Sequence, residues 1–104
     1  MAGTGSFRSF VRFDPDQPVV ASVTAHRSTK VFVVCLEVDQ ELPQHPAPME
    51  LTLLVIEGQP TVTVADKATL AAAGDVMVMA VGTPHSLKAG AQRAIVVGVL
   101  QARE

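Results

Sequence analysis

Three histidines and a single cysteine are the side chains of this 104-residue chain best suited to metal ligation or proton transfer near neutral pH. Two of the histidines stand beside residues that stiffen the backbone. His45 is followed by Pro46 and Pro48, and His85 comes directly after Gly82-Thr83-Pro84. Proline holds its own φ at about −65°, so such a segment can aim a neighbouring side chain without a bound group to hold it. His26 lies in the polar connection Thr24-Ala25-His26-Arg27-Ser28 and is expected in solvent. Cys35 sits in an apolar run with no adjacent cation to activate it, and is expected as a small buried hydrophobe, with a supplementary ligand role as the alternative. Neither a Gly-rich phosphate loop nor a Gly-x-Ser-x-Gly elbow occurs.

The most informative stretch runs from Gly74 to His85. A Gly74-Asp75 turn opens the apolar strand Val76-Met77-Val78-Met79-Ala80, and the turn at Gly82 returns the chain just before His85. This resembles the second motif of the cupin family, G-x5-P-x-G-x2-H-x3-N. Gly74, Gly82 and His85 fall on their places, while Ala80 stands for the proline and Ala89 for the asparagine. The first cupin motif, G-x5-H-x-H-x3–4-E-x6-G, aligns when Gly58 closes it. His45 then takes the first histidine's place, Ala47 the second's, Leu51 the glutamate's and Asp39 the opening glycine's. The two motifs span residues 39 to 89, about half the chain.

The resemblance implies an all-β, double-stranded β-helix or jelly-roll barrel. It also implies a metal site, here reduced to His45 and His85. Glu50 is expected to point away from His85 rather than replace the missing carboxylate, unless Met49-Glu50 forms a bulge, because a shift of one residue along a strand turns the side chain to the opposite face. Zinc sites normally use three or four protein ligands, and non-haem iron oxygenases use two histidines and a carboxylate. Two imidazoles alone are therefore expected to hold a divalent transition metal (Zn, Ni, Mn or Fe) only weakly, with water, an anion or Cys35 completing the shell.

Positioning these residues falls to strands. Breakers such as Asp14-Pro15, Gly58-Gln59-Pro60, Gly74-Asp75 and Gly82-Thr83-Pro84 separate β-branched or alternating runs. The runs are Val31–Val38, Leu51–Ile56, Thr61–Val64, Val76–Ala80 and Ala94–Leu100, with Val19–Thr24 as a weaker candidate for an edge. Lys67–Ala73 has helical propensity, but two turns between breakers make a marginal helix, so it reads as a strand leading into the Gly74 turn. Runs 51–56 and 94–100 are apolar on both faces, which suits a small double-sheet barrel. Residues 1–18 read as an N-terminal arm and 19–104 as one barrel domain. Phe7, Phe10 and Phe13, interleaved with Arg8 and Arg12, are expected to cover the barrel's outer wall or a second subunit.

Eight Lys and Arg against ten Asp and Glu give a net charge of −2, which argues against a nucleic-acid surface. At 48% hydrophobic and 17% charged the chain is too apolar for disorder, and one cysteine cannot form an intramolecular disulfide. No apolar run approaches the roughly 20 residues that cross a bilayer, and the first ten residues lack a signal peptide's apolar core, so a cytoplasmic protein is expected. The favoured function is a barrel that binds a small organic ligand, with His45 and His85 as polar handles. Leu51, Leu53, Val55, Met77, Met79 and Leu87 are the expected apolar lining. A metal-dependent oxygenase, isomerase or lyase and a regulatory sensory module are the alternatives, since cupins host many unrelated activities. A homodimer is expected, without nucleic-acid or membrane partners.

Overall fold

Two antiparallel sheets face one another in the computed structural model, which describes residues 6–102. After a 3-10 turn at Phe7–Phe10, the strands are β1 (Val19–Ala25), β2 (Thr29–Leu36), β3 (Glu41–Pro46), β4 (Glu50–Glu57), β5 (Thr61–Val64), β6 (Lys67–Leu70), β7 (Val76–Met79), β8 (Pro84–Lys88) and β9 (Ala94–Gln101). The five-stranded sheet has the order β1-β2-β9-β4-β7, and the four-stranded sheet the order β3-β8-β5-β6. The all-β expectation holds, and Lys67–Leu70 is a strand as expected, although it ends before Ala71.

Side-chain alternation gives each sheet a core face. On β2, Val34 and Leu36 join the inner core, whereas Val33 and Cys35 belong to a second cluster outside the sheet. On β4, Leu51, Leu53 and Val55 are buried and point inward. The cross-strand register continues this layer, aligning Phe32 with Gly98 and Val34 with Val96. Burying a Leu or Val side chain contributes about 1.5–3 kcal/mol, so this layer is the main apolar term holding the sheets face to face.

The outer cluster is the arm's work. Phe7, Phe10, Val11 and Phe13 pack over Val19, Val33, Cys35 and Ile95. Gln40 Nε2 donates to the Asp14 carbonyl at 2.7 Å, and the Arg93 guanidinium lies 4.4 Å from the centre of the Phe13 ring. Arg93 is held in turn by a two-point pair with Glu37, at 2.7 and 2.9 Å.

Two strands, β3 and β8, were not anticipated, and proline is the reason. Pro46 and Pro48 read as a stiff loop, yet Pro46 ends β3, which also holds Pro43 and is an edge strand, where a missing N–H can face no neighbour. Pro84 is the first residue of β8, another position where proline is tolerated. Asp39, at the place of the first motif's opening glycine, has φ 64°, so that turn keeps its left-handed backbone with an aspartate in it.

Candidate functional site

The site is built where β3 crosses the mouth of the barrel beside β8. His45 pairs directly with His85 in the antiparallel register. Leu42 and His45 are three residues apart and would face opposite ways on a regular strand. A register shift between them brings both to the inner face. On β8, Leu87 and His85 are two apart and point inward together. The two imidazoles meet with centroids 4.2 Å apart and planes tilted by 58°.

Strand position decides how wet each ring is. β8 lies between β3 and β5, and His85 is only 3% exposed. His45, on the edge strand, is exposed. Each ring is oriented by its own chain two residues back. Nδ1 of His45 lies 2.9 Å from the Pro43 carbonyl, and Nδ1 of His85 lies 3.1 Å from the Thr83 carbonyl. A carbonyl oxygen only accepts, so Nδ1 carries the proton on both rings, and Nε2 of the neutral ring presents a lone pair. Among the described residues no buried side-chain nitrogen or oxygen lacks a partner. His85 bonds the protein only through Nδ1, so its Nε2 is the atom that reaches open space. Burial pushes the His85 pKa down, against the upward pull of the Thr83 carbonyl, and the nearby His45 adds to the downward shift.

That open space is a cavity of about 350 Å³ between the sheets. The five-stranded sheet and its edge supply Val20, Ser22, Lys30, Val31, Phe32, Leu51 and Leu100, and the opposite side supplies Leu42, His45, Pro48 and His85. Its size falls within the roughly 300–1,000 Å³ typical of small-molecule sites. Phe32 lies flat over Gly98, where a Cβ would overlap the ring.

Of the eight residues expected at the site, His45, His85 and Leu51 come together around this cavity. Leu53, Val55, Met79 and Leu87 are buried in the solid core instead, with Met77 packed against it. They face inward as expected, but lie where the barrel is filled. Lys30, Phe32, Ser22, Leu42 and Leu100 were missed. The one legible sign was the β2 face Lys30-Phe32-Val34-Leu36, an inward row that begins with a lysine. Cys35 lies on the opposite face of β2 under the arm and cannot supplement the imidazoles, and His26 is exposed as expected.

The donor set does not match a complete metal centre. Ala47 and Leu51, at the places of the second histidine and the glutamate, are both buried apolar residues. Glu50 is on the other face of β4 from Leu51 and does not line the cavity. Among the described residues no three His, Cys, Asp or Glu side chains come together as a metal-binding group. Two nitrogens are what the protein offers.

Nine strands in two facing sheets among the described residues, with a histidine pair beside the cavity between them, define a small double-stranded β-helix barrel. The chain matches the Cupin domain family over residues 32–99 and belongs to it. Solved structures agree on the fold. An uncharacterised conserved protein with a double-stranded β-helix domain from Klebsiella pneumoniae is 24% identical, with a TM-score of 0.88 over 97% of this chain and 90% of that one. TT1209 from Thermus thermophilus is 18% identical, with a TM-score of 0.86 over 96% and 98% of the two chains. An RmlC-like cupin protein from Desulfovibrio desulfuricans is 27% identical, with a TM-score of 0.79 over 96% of each chain. No curated protein matches the sequence.

Proposed function

We propose that this protein binds a small organic molecule in the barrel cavity, with His45 and His85 as its polar anchors. The observation that carries this reading is the pair of Nδ1 hydrogen bonds to backbone carbonyls, which leaves two Nε2 lone pairs beside an apolar chamber. A ligand that donates an O–H or N–H there satisfies them and lays its carbon skeleton on Phe32, Leu51 and Leu100. The same lone pairs would take a divalent ion weakly, since no carboxylate or third imidazole joins them. The donor set thus favours ligand binding over the metal-dependent enzyme reading. Among the described residues no helix is long and apolar enough to cross a membrane. The reading places the protein in the cytoplasm as a homodimer.

Screening a library of organic fragments by NMR tests this. Long-range proton–nitrogen spectra report the Nε2 atoms of His45 and His85 directly. Fragments that bind are expected to move those resonances and to be lost from Leu51→Trp, which fills the chamber. If no fragment moves them, or if the hits bind Leu51→Trp unchanged, the reading falls.

A further inference from the structure

The chamber's wall is electrically one-sided. No aspartate or glutamate lines it, and its one permanent charge is the Lys30 ammonium. Lys30 is two residues from Phe32 on β2 and so shares its inward face. Leu100 lies opposite Lys30 on β9, and Ser22 lies opposite Phe32 on β1. The register therefore groups an ammonium and a hydroxyl, both hydrogen-bond donors, around an aromatic ring. The single salt bridge among the described residues joins Arg93 to Glu37, far from this wall in the fold's wiring, so no described carboxylate lies within salt-bridge reach of Lys30. A cation entering here meets like charge and finds no counter-ion. A neutral guest leaves the exposed ammonium to water or to one uncharged acceptor. An anion answers it.

We propose that the ligand is a small organic monoanion, a carboxylate on a flat apolar body that also carries an O–H or N–H donor for His45 and His85, whose charged end docks at Lys30 and Ser22 while the body lies on Phe32. This rests on the reading of the cavity as a ligand site and adds the charge class of its occupant. A lysine stem also covers apolar surface, which by itself would account for an inward lysine at a barrel mouth. Lys30→Met keeps that stem and removes the charge, so it separates the two roles.

The test uses three probes of one shape, each with the same ring hydroxyl to donate to the histidine pair: 6-hydroxy-2-naphthoate, 6-hydroxy-2-naphthamide and 6-hydroxy-2-naphthylmethylammonium. Each is titrated into the full chain by calorimetry, with a chelator present so that no metal supplies positive charge. Backbone chemical shifts around Phe32 and His85 locate the probe. The naphthoate is expected to bind roughly three- to tenfold tighter than the amide, in line with a charge-assisted hydrogen bond at a half-open site, and the ammonium weakest. Lys30→Met is expected to weaken the naphthoate far more than the amide and so bring the two to about equal affinity, and Lys30→Arg to keep most of the preference. Equal binding of naphthoate and amide in the chamber, or a preference that survives Lys30→Met, overturns the anion proposal and leaves the ligand site standing. Failure of all three probes to enter the chamber also overturns the anion proposal, while the fragment screen decides the ligand site separately.

Discussion

His85 is a titratable ring on an inner strand, and its burial has a thermodynamic consequence. Folding lowers its pKa, so the folded chain binds this proton less readily than the unfolded chain does. Its share of stability is complete above the ordinary histidine value near 6.5. It declines as pH falls through that value, and levels off once pH lies below the folded pKa. Thermal midpoints measured from pH 8 down to pH 5 are expected to fall over that window, and His85→Gln is expected to flatten the slope. An equal slope in the variant would assign the pH dependence to other groups. At this scale the sequence was a good guide to the pair itself, because the turn residues around positions 45 and 85 carry recognisable spacing. It was a poor guide to the pair's neighbours. Period-two alternation tells which face a side chain takes, but not how far along the barrel axis it lies. Leu53 and Leu51 share one face of β4, yet Leu51 meets the cavity and Leu53 is in the filled core.

Among the elements, the arm has the most testable role. Its aromatic residues are packed against the cluster that includes Cys35, which is completely buried. The contacts from Gln40 to the Asp14 carbonyl and from Arg93 to Phe13 fasten it at two adjacent residues just before Pro15. Replacing Phe10 and Phe13 together with alanine is expected to leave the strands folded and expose the thiol. Reaction of Cys35 with a disulfide reagent should then accelerate at least about tenfold, corresponding to about 1.4 kcal/mol less protection. An unchanged rate would show that the sheet alone shields it. The arm was legible as aromatic cover because three phenylalanines in thirteen residues need an apolar surface. β3 and β8 were not, since proline is read as a breaker unless the strand is known to be an edge. Only the sheet order supplies that knowledge.

For the molecule as a whole, the arm covers its own sheet, which moves the basis for a dimer elsewhere. The outer face of the five-stranded sheet continues past the arm to β7, an edge strand whose Val76 and Val78 are 57% and 73% exposed. Leu54 stands beside Val76 and Thr52 beside Val78, so the margin is uncharged between Glu50 on β4 and Asp75 just before β7. An uncharged, apolar edge is one that proteins ordinarily protect or pair. Light scattering at micromolar concentration is expected to give about twice the 10.9 kDa of one chain, and Val78→Lys to halve that mass. A wild-type mass of one chain would refute the dimer.

Beneath the aromatic floor of the chamber lies a residue without a side chain. Because Phe32 rests where the Cβ of residue 98 would otherwise stand, the headroom above the ring depends on a single hydrogen atom. Any larger group at 98 must tip the ring upward into the space a guest would occupy. The capacity of the vessel can thus be tuned from beneath, without altering any atom a visitor touches.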